Sequence, residues 1–109
     1  MHITHTCGDV QVDMDARVAF VRGERVTLTY YEFELLVKFV TDPGRVFNRD
    51  ELHGERPGAV PSTPRSVDIR VMRLRKKLSR ARSFVIETVP KVGYRCWGTN
   101  DGQLGGDRL

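Results

Sequence analysis

Residues Thr63 to Arg82 read TPRSVDIRVMRLRKKLSRAR, and this stretch decides how the chain is read. An α-helix advances about 100° per residue. On that wheel Val67, Val71, Leu74 and Leu78 fall within one narrow apolar stripe. The opposite side collects Arg65, Ser66, Ile69, Arg73, Lys76, Lys77 and Arg80, with Arg70 and Arg75 on the two flanks. Basic helix faces are common and are usually just solvated. This one carries eight basic residues against a single acid, Asp68, which sits near the helix N-terminus where the dipole favours an anion. Six of the eight are Arg, the side chain that engages guanine and phosphate bidentately. Such a helix presses one side into a core and holds the other against a polyanion, as a helix in a DNA major groove must.

The charge is lopsided along the chain. Residues 1–62 hold 7 basic and 10 acidic side chains, whereas residues 63–109 hold 11 and 4, which together give the formal charge of +4. A basic surplus confined to one half describes a directed electrostatic surface rather than general basicity. A length of 109 residues makes one domain with a modest core. Cys7 and Cys96 are far apart in sequence and fit no metal or redox spacing, so both are read as small reduced residues of a cytoplasmic protein rather than as a disulfide. His2, His5 and His53 form no ligand cluster with Cys or paired carboxylates, so neither a metal nor a cofactor is expected. No apolar run has the length of a signal peptide core or a membrane span. The end, residues 98–109, is Gly-rich and polar and reads as a flexible tail.

Upstream of the basic helix the pattern has period two. Val10 and Val12 alternate with polar neighbours, and Asp13-Met14-Asp15 makes a turn. Val18 to Val21 and Arg25 to Leu28 flank the hairpin signal Arg22-Gly23-Glu24, with a further strand available near Ile3 to Thr6. Thr29 followed by Glu32 is a capping box that opens a helix bearing Phe33, Leu36, Val37 and Val40, widened by Leu35 and Phe39. Only Glu34, Lys38 and Thr41 leave a polar wedge, with Glu34 and Lys38 at pairing distance. Asp42-Pro43-Gly44 stops the helix. Val46-Phe47 makes a brief strand, and Asn48 with Glu51 repeats the capping logic for a short helix ending near His53.

A loop follows over residues 54–63, with Pro57, Gly58 and Pro61; Thr63 then caps the basic helix and Pro64 suits its first turn. Phe84 to Val89 and Tyr94 to Trp97 read as strands joined by Pro90-Lys91-Val92-Gly93, with Gly in a left-handed position. The expected fold class is α+β: a winged helix-turn-helix with an N-terminal antiparallel sheet, a three-helix core and a C-terminal β-hairpin wing. The folded domain is expected over residues 1–97, with the recognition helix about 64–80 and the wing about 84–97. The loop between the second and third helices is longer than the turn of a plain helix-turn-helix.

These residues resemble the OmpR/PhoB-type winged-helix DNA-binding domain of bacterial transcription regulators. The resemblance covers roughly Gly8 to Trp97. It is carried by Leu28-Thr29-x-x-Glu32-Phe33-x-Leu35-Leu36, Pro43-Gly44-Arg45-Val46, Arg49-x-x-Leu52, the run from Arg65 to Leu78, Ile86-x-Thr88-Val89 and Gly93-Tyr94-Arg95. It implies a four-stranded N-terminal sheet, a third helix in the major groove and a wing near the adjacent minor groove. It also implies head-to-tail pairing on direct repeats by a protein that is monomeric alone, and contact with RNA polymerase through loop 54–63. The chain is then expected to be the effector domain of a two-component response regulator.

Wheel and resemblance together assign roles. Ser66, Ile69 and Arg73 are expected to face base edges, Arg73 reading a guanine and Ile69 a thymine methyl. Arg65, Arg70, Arg75 and Lys76 are expected to hold phosphates from the helix, and Lys91 and Arg95 from the wing. Tyr94 and Trp97 read as core rather than as stacking platforms, Gly93 as a backbone requirement, and Asp68 as a cap or an orienter of Arg65. Two departures from the family pattern stand out. Met72 occupies a place where relatives often carry a polar or basic residue, and Pro90-Lys91 is closer to the wing of ToxR/CadC-like members. The alternative reading is a winged-helix module that recruits a protein partner without reading DNA. Enzymatic function is not expected, because no Ser/His/Asp set, metal spacing or Gly-rich phosphate loop is present in the sequence.

Overall fold

The computed structural model describes residues 4–53 and 66–98. Loop 54–63, the Thr63 cap with Pro64 and Arg65, and the tail beyond residue 98 lie outside them. Four short strands, β1 (Thr4–Cys7), β2 (Val10–Asp13), β3 (Val18–Val21) and β4 (Glu24–Val26), form an antiparallel sheet in sequence order. The two-residue turn between β3 and β4 holds Arg22 and Gly23 at φ of 52° and 85°, the double positive φ that a type I′ hairpin requires. Alternation then sorts the faces. Val10 pairs with Val21 and Val12 with Ala19, and all four are buried, so one face of the sheet is an apolar floor for the helices.

Helix α1 (Tyr30–Thr41) starts at the expected capping box. The Glu32 N–H donates to Thr29 Oγ1 at 3.2 Å, and the Thr29 N–H donates to Glu32 Oε1 at 2.9 Å. Phe33, Leu35, Leu36, Phe39 and Val40 are buried, as the apolar face predicts. Glu34 does not pair with Lys38 as the spacing suggested; Arg17, held at positive φ just before β3, reaches it at 2.9 Å. Glu32 itself is buried and accepts from Lys77 Nζ at 2.6 Å. Burial pushes the Glu32 carboxyl up, but Lys77 and the Thr29 amide and hydroxyl outweigh it and hold the group below the usual carboxylate range.

Strand β5 (Phe47–Asn48) leads into α2 (Arg49–Leu52), whose capping box is complete: Glu51 N–H to Asn48 Oδ1 and Asn48 N–H to Glu51 Oε1, each 2.8 Å. Helix α3 (Ser66–Lys77) buries Val67, Val71 and Leu74 completely, with Leu78 just beyond it. The wing hairpin is β6 (Phe84–Val89) and β7 (Gly93–Gly98). Strand β5 adds to its other edge, giving a three-stranded sheet in the order β5-β7-β6.

Gly93 is dictated by that addition, and not by the left-handed conformation its place in the turn suggested. A Cβ on it would stand 1.9 Å from the carbonyl oxygen of Phe47 on the neighbouring strand. The positive φ of the wing turn falls instead on Lys91, at 68°. The two cysteines, 89 residues apart, meet between the two sheets. Their Sγ atoms are 3.9 Å apart, and the Cys96 thiol donates to the Phe39 carbonyl at 3.1 Å. Both are free and buried, and the Cys96 thiol is pushed up by the adjoining Cys7 thiol and by burial.

Candidate nucleic-acid interface

The buried stripe of α3 fixes which residues face outward. Ile69, Met72, Arg73 and Lys76 are exposed, Ile69 by 47% and Met72 by 61%. Among the described residues no hydrogen bond or ion pair holds Arg73 or Lys76, nor Lys91 at the tip of the wing. Ser66 lies half-buried in the first turn of the helix. Ser66, Ile69, Arg73 and Lys76 therefore share one helix, with two free cations among them, and Lys91 extends the basic character to the turn between β6 and β7.

The remaining expected cations among the described residues are engaged within the protein. Arg75 turns towards the wing: its Nε and Nη2 donate to the Ile86 carbonyl at 3.0 and 2.8 Å, and Nη2 donates to Thr88 Oγ1 at 2.7 Å. Arg95 Nε donates to Glu87 Oε1 at 2.8 Å, and its guanidinium lies 4.8 Å from the Trp97 ring centre. Hydrogen bonds from Arg95 and from the Trp97 indole hold the Glu87 carboxyl below its ordinary range. Arg70 stacks on the Tyr31 ring at 3.8 Å. Arg80 pairs with Glu24 of β4, and Lys77 with the buried Glu32, so neither belongs to the free outward face that the wheel gave them. Arg65 lies outside the described residues.

One carboxylate joins the three parts of this surface. Asp68 of α3 accepts from Arg49 Nε of α2 at 2.9 Å and from the Tyr94 hydroxyl of β7. The guanidinium groups of Arg49 and Arg75 lie 5.6 and 5.5 Å from the centre of the buried Tyr94 ring. Burial first, and then the bond to Asp68, raise the Tyr94 hydroxyl above its ordinary range. Tyr94 is core, as expected, but its hydroxyl has a role that sequence spacing could not disclose. It meets Asp68 across 26 residues, and the motifs around each residue name neither the other nor Arg49.

Three helices followed by a two-stranded wing, with the last helix presenting its outward side, define a winged helix-turn-helix. The family described as "Transcriptional regulatory protein, C terminal" matches residues 23–96. The chain belongs to this family, the OmpR/PhoB-type effector domains. It is 42% identical over 89 residues to the transcriptional regulatory protein VxrB of Vibrio cholerae serotype O1, spanning 80% of this chain and 35% of that protein. It is 38% identical over 91 residues to the DNA-binding response regulator MtrA of Mycolicibacterium smegmatis, spanning 81% of this chain and 40% of that protein. The chain thus spans little more than a third of the length of these relatives. Among solved structures, the RstA DNA-binding domain of Klebsiella pneumoniae, in complex with the RstA box, superposes with a TM-score of 0.68 at 31% identity, covering 86% of this chain and 96% of that one.

Proposed function

We propose that this chain binds double-stranded DNA sequence-specifically and regulates transcription, as the effector domain of a two-component response regulator in the bacterial cytoplasm. The observation that carries the reading is the outward side of α3, where Arg73 and Lys76 stand exposed, with no partner among the described residues, opposite a fully buried stripe. The likeness to a response regulator and to a domain solved on its DNA box supports it. Ser66, Ile69 and Arg73 read base edges in the major groove, with Arg73 on a guanine. Arg65, Arg70, Lys76 and Lys91 hold phosphates. Arg75 and Arg95 reach phosphates only with the N–H donors left over from their protein bonds, since a guanidinium offers five. The chain is a monomer that pairs head to tail on direct repeats, and loop 54–63 contacts RNA polymerase.

The test is selection from a pool of randomised duplexes, followed by fluorescence anisotropy at two salt concentrations. Enrichment of a direct repeat, with affinity falling steeply as salt rises, is the expected result. Salt-sensitive binding that enriches nothing leaves only a basic surface. No binding at low salt overturns the reading in favour of a protein-recruiting module.

A further inference from the structure

Met72 is the most exposed large apolar residue described, at 61%, and Ile69, three positions earlier, is exposed by 47%. Single exposed apolar residues are ordinary on any surface. Two of them at i and i+3 on the same side of a short helix are neighbours, with Cβ atoms about 5–6 Å apart. Neither packs against the core cluster. Their surroundings are not those of a protein-docking patch. The exposed side chains beside them on α3 are Arg73 and Lys76, both without a partner among the described residues. An apolar pair framed by free cations matches a polyanion that carries apolar groups at its recognition edge. In the major groove that group is the C5-methyl of thymine.

The wheel fixes the order across the helix. Ile69 and Lys76 lie near its outward axis, Arg73 lies to one side and Met72 to the other. The Met72 side is the wing side, because Arg75, one helical turn on, bonds to Ile86 and Thr88 of β6. We infer that Met72 and Ile69 together form a reader of two thymine methyl groups. These lie on the wing side of the guanine contacted by Arg73, with Met72 on the thymine nearer the wing. The unbranched thioether suits this role, since it adapts its shape to a methyl group without needing a fixed rotamer. This assignment rests on the proposed binding of α3 in the major groove.

The experiment uses the duplex selected as above. Each thymine in a half-site is replaced singly by deoxyuridine, which removes the methyl group and keeps every hydrogen bond of the base pair. Affinity is then measured for the wild-type chain and for Met72→Ala, Met72→Leu and Ile69→Ala, with circular dichroism to confirm folding. Two replacements are expected to weaken wild-type binding by roughly fourfold each, the ratio corresponding to burial of one methyl-sized group at about 0.8 kcal/mol. Met72→Ala abolishes the effect at one position and Ile69→Ala at the other, while Met72→Leu keeps both. A wild-type chain indifferent to every deoxyuridine overturns the inference while leaving DNA binding intact. So does a half-site without thymine, or an effect that Met72→Ala leaves in place. A chain that enriches no duplex overturns it together with the function proposed above.

Discussion

Lys91 holds a left-handed backbone, φ 68°, in the third position of the wing turn, where the Val92 N–H closes onto the Val89 carbonyl at 3.0 Å. That conformation costs a side-chain-bearing residue about 1 kcal/mol, and strain of this kind persists at positions kept for another reason. Lys91→Gly is therefore expected to raise stability by about 0.5–1 kcal/mol in denaturant titrations. The same variant should weaken cognate and scrambled duplexes alike and shallow the salt dependence by about one phosphate. Arg73→Ala should behave oppositely: unchanged stability, a loss of about 1–3 kcal/mol on the selected duplex and relaxed choice of base at one position. Equal losses on cognate and scrambled DNA for both variants would refute the division of roles. At this scale, the sequence period sufficed to put Arg73 and Lys76 on the exposed side of α3, because outward projection on a helix follows from position alone. It could not reveal that Arg75 and Arg95 spend donors on Ile86, Thr88 and Glu87. Those bonds depend on how a hairpin folds back.

Among the elements, α1 and α3 are joined by the Glu32–Lys77 ion pair as well as by Arg70 stacked on Tyr31. A capping box announces a helix start from sequence, and both boxes appear where they were read. That the Glu32 carboxylate is also buried and bridged to another helix was not legible, since Lys77 lies 45 residues away on the basic side of its own wheel. Strand β5, only two residues long, is Phe47–Asn48, one residue beyond the Val46-Phe47 that the sequence pattern favours; its pairing with β7 carries no local signal. The folded-state pKa of Glu32 is depressed. Its contribution is thus fully present above the unfolded value of about 4.3 and is lost as pH falls through the folded value. Chemical denaturation from pH 6 downward should show stability declining below about pH 4.5, with a shallower decline in Glu32→Gln. At pH 7 that variant is expected to lose about 1–2 kcal/mol, since the amide keeps part of the cap but surrenders the charge-assisted bond. Lys77→Met should cost more, because it strands a carboxylate in the core. A larger loss for Glu32→Gln than for Lys77→Met would contradict this account.

For the molecule as a whole, the order of elements was written in the punctuation of the chain, but the meeting of its distant parts was not. Asp9, in the first turn of the sheet, accepts from the Arg82 amide at 2.7 Å and so ties that sheet to the start of the wing. The buried Cys7 and Cys96 thiols mark the same junction between the sheets. Both should react with a thiol reagent only as fast as the domain opens, and together, so their labelling rates should rise in step with denaturant. Independent rates would mean that one sheet opens alone. The Asp68 junction makes the corresponding claim for the binding surface, because α2, α3 and β7 share one acceptor. If that bond positions the wing, Tyr94→Phe should weaken DNA binding several-fold with a stability loss of only about 1 kcal/mol. The decisive measurement is a double-mutant cycle with Lys91→Ala. A wing held in place through Tyr94 delivers Lys91 to its phosphate, so once Lys91 is gone the Tyr94→Phe loss should shrink towards nothing. Fully additive losses would instead make Tyr94 a core residue whose hydroxyl serves stability alone.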